Sequence, residues 1–256
     1  MDEADWLALN LRSMAATFAA FAPSAGAELI ARDGVTAIVN PAVPERSVFN
    51  SVVYTDPGAL AEVHGELAAA YAKGRCAWTV WVPEADTATA RFLDAAGHRL
   101  DAEPRAMGAP LSGFDDPDLG DMDWDSECDP RIAGALNDGA YGYPRGTWLR
   151  GIGTSTEGLR TYVARIDGEP ASTIAVRYVD GDCPVWNVAT AERARGRGLA
   201  TRLIARALAD ARQAGCTTTT LQATGLGAPV YRSLGYLDFG VLQMWEHRDA
   251  HAPAAR

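Results

Sequence analysis

Cysteine and histidine are scarce in this chain of 256 residues, which has four of each. The cysteines, Cys76, Cys128, Cys183 and Cys216, lie far apart and form neither a CxxC pair nor another spacing typical of metal ligands. We therefore expect no metal site. Scattered cysteines are typical of small buried side chains in a reducing compartment, so the sequence favours a cytoplasmic protein over a disulfide-bonded one.

Long apolar runs and an excess of basic residues are also missing. No segment approaches the roughly 18 consecutive apolar residues of a membrane span, and the N-terminus, MDEAD, is acidic where a secretory signal is basic. The chain has 23 Lys and Arg against 33 Asp and Glu, a formal charge of −10 that repels phosphate backbones and anionic membranes. We expect neither a nucleic-acid nor a membrane partner.

Hydrophobic periodicity predicts an α/β protein with a mixed sheet. Apolar residues recur at helical spacing over residues 6–21, where Pro23 is expected to end the helix. The further predicted helices are 57–73, 87–96, 130–142, 199–213 and 228–234. The predicted strands are 28–30, 35–39, 48–54, 77–82, 105–111, 161–166, 171–178, 185–190, 217–223 and 239–245.

An acidic segment divides the chain into two halves. Residues 115–129 read DDPDLGDMDWDSECD, with eight acidic residues in fifteen. Such a run is typical of a solvated connector, and a chain of this length exceeds the usual single domain of roughly 100 to 150 residues. The sequence therefore predicts one domain over residues 1–114, a linker over 115–129 and a second domain over 130–256.

The two halves repeat one order of elements. Gly74 and Gly215 precede matching strands 141 residues apart, Cys76 and Cys216 lie 140 apart, and Gly97 and Gly235 lie 138 apart. Asn50 and Asn187 provide a fourth match, at 137 residues. Nearly constant spacing across four landmarks indicates two copies of one α/β unit.

A basic, glycine-rich turn, RARGRG at residues 193–198, lies between a predicted strand and a predicted helix. Free N–H groups and the dipole at a helix N-terminus favour an anion, and glycines let the backbone approach it closely. A solvated basic turn is the simpler alternative. Neither a dinucleotide fingerprint, GxGxxG, nor a P-loop, GxxxxGK followed by Ser or Thr, is present.

This turn resembles the pyrophosphate motif of the GNAT superfamily of acyl-CoA-dependent N-acyltransferases: Arg or Gln, two residues, Gly, one residue, then Gly or Ala. Val188 stands five residues earlier at the strand end, as in the family, although Thr190 occupies the usual proline position. A second segment, ATGLGAPVYRSLGY at 223–236, resembles the family's later signature. The resemblance covers residues 130–247 directly and the first half through the repeat, which predicts two GNAT-like domains, the N-terminal one degenerate.

The resemblance implies that the second domain binds acetyl-CoA. The family's strands matching 185–190 and 217–223 diverge and admit the pantetheine arm between them. The N–H of Val188 would stabilise the carbonyl oxygen as it gains charge, and Tyr231 would protonate the leaving thiolate. The implied acetyl-CoA-binding residues are Asn187, Val188, Ala189, Arg193, Ala194, Arg195, Gly196, Arg197, Gly198, Leu199, Ala200 and Thr201.

The acceptor is expected to be the primary amine of a small, cationic molecule, attacking directly in a ternary complex. Its predicted pocket residues are Tyr141, Tyr143, Trp148 and Trp186. Many relatives have a catalytic carboxylate on the strand matching 185–190, but VWNVAT has none. Glu127, Asp138, Glu246 and a water bound to Asn187 stay open as the base. A non-catalytic acyl-CoA sensor is the alternative function.

Overall fold

The structure is a computed structural model that describes residues 1–154 and 157–248. Within these residues the chain forms seven helices and twelve strands. The first half contains α1 (Glu3–Ala25), β1 (Glu28–Arg32), β2 (Val35–Val39), β3 (Ser51–Tyr54), α2 (Pro57–Gly74), β4 (Trp78–Pro83), α3 (Thr87–Ala95), β5 (Arg99–Ala102) and β6 (Arg105–Pro110). The second half contains β7 (Asp123–Asp125), α4 (Pro130–Tyr141), α5 (Thr147–Ile152), β8 (Leu159–Ile166), β9 (Glu169–Arg177), β10 (Asp182–Thr190), α6 (Leu199–Gln213), β11 (Thr218–Ala223), α7 (Ala228–Leu234) and β12 (Leu237–His247).

Helix α1 is longer than predicted. It starts in a capping box formed by Asp2 and Asp5, and Pro23 lies inside its last turn instead of ending it. The proline removes only the N–H that would donate to the Ala19 carbonyl. The helix end is closed separately by the Ala27 N–H, which donates to the Ala22 carbonyl at 2.9 Å. The helix ends at Gly26, whose φ of +65° is a left-handed conformation that glycine adopts without strain.

The described strands form one mixed sheet in the order β1-β2-β3-β4-β12-β6-β11-β10-β9-β8-β7, with β5 paired to β12. The halves exchange strands in this sheet. Strand β6 of the first half lies between β11 and β12 of the second, and β12 pairs in turn with β4 and β5 of the first. The predicted domain boundaries remain a prediction, because the sheet is continuous across them.

Each half contains two parallel strands joined by a helix: β3-α2-β4 in the first and β10-α6-β11 in the second. Ser51 pairs with Thr79 and Asp182 pairs with Thr218, so Ser51 and Asp182 hold equivalent positions. The match of Asn50 with Asn187 is therefore wrong. Asn50 precedes β3, whereas Asn187 lies well inside β10.

Part of the acidic segment packs against the second half. Strand β7, inside this segment, pairs with β8. Arg212 of α6 donates a 2.8 Å hydrogen bond to the Phe114 carbonyl and forms an ion pair with Asp116. Arg202 donates to the Leu119 carbonyl at 3.2 Å. The segment joins the halves, and its position along α6 places acidic side chains near the basic face of that helix.

Helix α1 is fixed to both halves by buried polar contacts. The Asn10 side-chain amide donates to the carbonyls of Met107 in β6, at 3.2 Å, and Leu221 in β11, at 3.0 Å. Gln222 donates back to the Asn10 side-chain oxygen at 2.6 Å. These bonds satisfy polar groups that would be costly to bury alone, and they hold α1 across the junction of the halves.

The four cysteines are free and buried. Among the described residues, no group of three or more His, Cys, Asp or Glu side chains is suited to a metal ion. None of the helices in the described ranges combines the length and apolar character that a membrane crossing requires.

Candidate active site

A cleft of about 790 Å³ opens where the two halves meet. The first half contributes the end of α1 and the segments 45–49 and 101–104, and the second contributes residues of α4, β10 and α7. All of the predicted catalytic and acceptor residues line this cleft, together with Asn187 from the predicted acetyl-CoA site. Those that line the cleft are Tyr141, Tyr143, Trp148, Trp186, Asn187, Val188 and Tyr231.

Strands β10 and β11 diverge at this cleft, as expected. They pair in parallel over three residue pairs, the last being Pro184 with Thr220. Both strands continue beyond this point, β10 to Thr190 and β11 to Ala223, without further pairing to each other. The opening exposes the backbone edge of β10 to any extended ligand that enters between them.

A β-bulge interrupts β10 beside the opening. The register on β9 moves from Trp186 opposite Ala175 to Ala189 opposite Thr173, which leaves Asn187 and Val188 facing one residue. Asn187 has a φ of +52°, a left-handed conformation that asparagine tolerates better than most residues. A bulge of this kind turns backbone groups out of the regular ladder. The Tyr141 hydroxyl lies 3.5 Å from the Val188 carbonyl oxygen.

The glycine turn follows β10 and leads into α6. Gly196 and Gly198 have φ values of +75° and +72°, and no atom lies within 4 Å of where a Cβ would be. Gly198 is the N-cap of α6 and provides no side-chain cap, so no side-chain cap bond satisfies the first N–H groups of this 15-residue helix. The turn therefore combines an open approach with uncapped donors.

The side chains of this turn divide into two sets. Ala194 and Leu199 are buried in the core, so any ligand contact there uses their backbone. Arg193 is exposed and donates to the Pro170 carbonyl at 3.2 Å. Arg195 and Arg197 are exposed, and their side chains form no hydrogen bond or ion pair within the described ranges.

Tyr231 lies on α7 and is 8% exposed, with its ring edge against Tyr236 at 5.7 Å between centroids. Burial raises the pKa of Tyr231 above its ordinary value, and nearby Tyr141 raises it further. The hydroxyl therefore stays protonated at neutral pH, as a proton donor must.

Aromatic side chains form the apolar end of the cleft. Phe18 and Phe21 of α1 pack against Trp186, with centroids 5.3 and 6.3 Å away. Trp148 is 1% exposed and belongs to the same core cluster, so it supports the wall more than it presents a surface. The Tyr143 ring carries the Arg46 guanidinium 4.0 Å above its centre.

Residues 122–236 match the model of the Acetyltransferase (GNAT) family. This segment is a GNAT acetyltransferase domain. No curated protein matches the chain. The whole chain is similar in fold to a GCN5-related N-acetyltransferase from Kribbella flavida, with 18% identity, 93% of this chain and 96% of that chain covered, and a TM-score of 0.67.

Two further structures resemble the chain. A GCN5-related N-acetyltransferase from Sphaerobacter thermophilus is 16% identical, with 100% and 95% of the chains covered and a TM-score of 0.62. A tandem GNAT protein from the clavulanic acid biosynthesis pathway is 16% identical, with 75% and 71% covered and a TM-score of 0.51. These likenesses confirm the predicted α/β fold with GNAT-like architecture across both halves.

The three carboxylates predicted as candidate bases occupy different environments around the GNAT domain. Glu127 is exposed and does not line the cleft. Asp138 is buried, and its oxygens accept hydrogen bonds from the backbone N–H groups of Gly146, at 2.6 Å, and Trp148, at 2.9 Å. It fixes the start of α5. Glu246 does line the cleft, but Arg248 donates to both of its oxygens, at 2.9 and 3.0 Å.

Three other cleft carboxylates were missed by the sequence analysis: Glu45, Asp101 and Glu103. All come from the first half, more than 120 residues from Tyr231 along the chain. No local motif surrounds them, so only the exchange of strands brings them to the GNAT domain. The signal available in the sequence was the absence of a carboxylate in VWNVAT, which leaves the base to another segment or to a water.

Proposed function

We propose that the chain is an N-acetyltransferase that transfers an acetyl group from acetyl-CoA to the primary amine of a small cationic acceptor. The divergence of β10 and β11 carries this proposal, because it connects the glycine turn with the cleft that holds Val188 and Tyr231. The exposed turn would hold the pyrophosphate, and the opening would hold the pantetheine arm. The free, buried cysteines support a cytoplasmic location.

The residues of the turn fit an anionic donor. Arg195 and Arg197 supply positive charge, and the glycines at 196 and 198 leave space for close backbone approach. The first N–H groups of α6 would donate to phosphate oxygens. Acetyl-CoA supplies the acetyl group as a thioester.

The bulge and Tyr231 would act on the reacting group. The N–H of Val188, in the bulge, would donate to the acetyl carbonyl oxygen as negative charge develops there. Tyr231, which also lines the cleft and remains protonated, would give its proton to the thiolate.

The charge of the cleft favours a cationic acceptor. Among the described residues, the lining holds four carboxylates, Glu45, Asp101, Glu103 and Glu246, and two guanidinium groups, Arg46 and Arg248. The surplus of negative charge attracts an ammonium ion, and the aromatic walls would bind its apolar parts.

The test measures release of the CoA thiol. The full chain is incubated with acetyl-CoA and single amines, including spermidine, glucosamine and lysine, and acetylated products are identified by mass spectrometry. We expect amine-dependent thiol release with at least one cationic amine. Binding of acetyl-CoA with no turnover on any amine would contradict the proposal and favour a sensor.

A further inference from the structure

The carboxylates that line the cleft, Glu45, Asp101, Glu103 and Glu246, are not equivalent. Glu246 is occupied by Arg248, which binds both of its oxygens and also donates to the Glu45 carbonyl at 3.2 Å. Asp101 stands on β5, whose neighbour in the sheet is β12, the strand that carries Glu246. Its carboxylate forms no hydrogen bond or ion pair within the described part of the chain.

The surroundings of Asp101 favour the protonated form of its carboxyl group. Partial burial raises its pKa above the ordinary value, the negative charge of Glu246 raises it further, and Arg248 opposes the shift. Burial mainly raises the pKa of Tyr143, and the charge of Asp101 adds to this shift; both residues line the cleft. The charged groups that act on Asp101 are Glu246 of β12 and Arg248, which follows that strand. Tyr143, whose ring is covered by Arg46, lines the same cleft.

We propose that Asp101, contributed by the N-terminal half, is the base that removes a proton from the ammonium group of the acceptor. The assignment rests on the proposed acetyltransferase function. It explains how a GNAT domain without a carboxylate in residues 185–190 of β10 could obtain a neutral amine: the first half would provide the base across the cleft. It also gives a role to that half beyond supporting the fold.

Protons and electrons balance with Asp101, Tyr231, the acceptor and acetyl-CoA. An N–H bond of the ammonium breaks and an O–H bond forms on Asp101, which leaves a neutral amine. The amine lone pair forms a C–N bond to the acetyl carbon, and the C–S bond breaks. The thiolate takes the Tyr231 proton, and Tyr231 recovers a proton from the new amide nitrogen. Asp101 is exposed and releases its proton to solvent.

The first experiment compares three variants of the full chain, each with an amine that the wild type acetylates. Asp101→Asn removes the base and keeps the shape of the side chain. Glu103→Gln removes a charge from the same wall two residues away. Glu62→Gln removes an exposed charge of α2 that lies outside the cleft. Steady-state kcat and KM are measured between pH 5 and 10, and thermal melting checks that each variant is folded.

We expect Asp101→Asn to lower kcat at neutral pH by roughly 100- to 10,000-fold, the usual contribution of a general base. Its rate should recover as pH approaches the amine pKa of about 10.4, because the free amine then forms without help. Glu103→Gln should raise KM with kcat largely unchanged, and Glu62→Gln should match the wild type. A higher KM with normal kcat in Asp101→Asn would assign it to acceptor binding and overturn the proposal.

A second experiment varies the acceptor. A fluorinated analogue of the same amine has a lower ammonium pKa and is largely neutral at pH 7. The rate loss in Asp101→Asn should shrink strongly with this analogue, whereas an equal loss with both amines would contradict a base. Wild-type activity with an unchanged pH profile in Asp101→Asn would overturn this assignment alone. Absence of turnover by the wild type on every amine would overturn the proposed function and the assignment with it.

Discussion

The hydroxyl of Ser13 in α1 donates a 2.7 Å hydrogen bond to the fully buried carboxylate of Asp182 in β10. Thr220 of β11 donates to the same oxygen at 2.6 Å. Residues 169 positions apart thus share a buried charge, and the contact fixes the first helix to the start of the strand that bears the bulge. The geometry of the cleft depends on this contact, because the far end of α1 forms its aromatic wall.

The pH dependence of stability should report on Asp182. Burial raises its pKa above the ordinary value, although the hydroxyl donors oppose the shift. A raised folded pKa stabilises the protein below the unfolded pKa of about 3.9, and that stabilisation is lost as pH rises through the folded pKa. The stability of Asp182→Asn relative to the wild type should therefore rise as pH increases from the unfolded to the folded pKa of Asp182. Above the folded pKa, the difference in unfolding free energy should stay constant. Urea unfolding at a series of pH values measures this, and parallel curves would contradict it.

Ser13→Ala provides the matched control, because it should lower the stability of the protein where Asp182→Asn raises it. Removing a donor to a buried carboxylate costs about 1.5 to 3 kcal/mol. The loss should be greater at pH 7 than at pH 4, because the hydroxyl mainly stabilises the ionised form. A loss independent of pH would mean that Asp182 stays protonated in the folded protein.

The sequence predicted the helices and most strands because their apolar residues face one core. It missed β5, whose residues Arg99, Leu100 and Asp101 are all exposed and show no alternation, and β7, which lies inside the acidic segment. Helix α5 was missed because its six residues are too few for a clear period. Nothing in the periodicity of β6 or β12 specifies that each pairs with strands of the other half.

In the site, too, local features were predictable and contacts between distant segments were not. The glycine turn was predictable because it is a contiguous motif, and the divergence of β10 and β11 was expected from the family resemblance that this motif carries. The bulge at Asn187 and the contribution of Asp101 were not, since one depends on register and the other on contacts between distant segments. The predicted end of α1 at Pro23 was wrong, because a proline in the last turn of a helix costs only one hydrogen bond.

Gly196→Val should weaken acetyl-CoA binding. A left-handed φ costs a non-glycine residue roughly 1 to 2 kcal/mol, and the new side chain would block backbone approach to the pyrophosphate. Loss of one charge-assisted hydrogen bond, about 1.5 to 3 kcal/mol, corresponds to roughly 10- to 100-fold in Kd. Gly215→Val, at the other end of α6, is the control, because Gly215 also has a positive φ and open space. Calorimetry should show weaker binding in the first variant alone; equal affinities would contradict a phosphate site at this turn.

Tyr231→Phe should retain acetyl-CoA affinity and lose turnover. The substitution removes only the hydroxyl group, which carries the proton, and a general acid contributes typically 100- to 10,000-fold in rate. Tyr236→Phe is the control: its buried hydroxyl bonds to Thr219 at 2.8 Å, so its loss should cost about 0.5 to 1.5 kcal/mol of stability and leave kcat intact. Stopped assays of thiol release give kcat for both. Normal turnover in Tyr231→Phe would make this tyrosine a packing residue.

The first half should bind no acetyl-CoA of its own. Asp56 is the N-cap of α2, as Gly198 is the N-cap of α6, and the Asp56 carboxylate accepts the Gly58 N–H at 2.8 Å. Pro57 provides no N–H at the next position. A phosphate would meet a negative charge and a helix end that is already capped, whereas α6 has neither obstacle.

Titration calorimetry should therefore give one acetyl-CoA site per chain. The double variant Arg195→Gln and Arg197→Gln should weaken that single site, and the weakening should diminish at high salt, where these exposed charges are screened. Asp56→Asn should leave both affinity and stoichiometry unchanged, because Pro57 still withholds an N–H and no arginine is nearby in sequence. The spacing of 138 residues between Gly97 and Gly235 predicts that Leu93 stands where the second half has Tyr231, and neither Leu93 nor its neighbour Phe92 has a proton to give. Two equivalent sites, or a second site retained in the double variant, would show that the first half has kept the anion-binding function of the repeat.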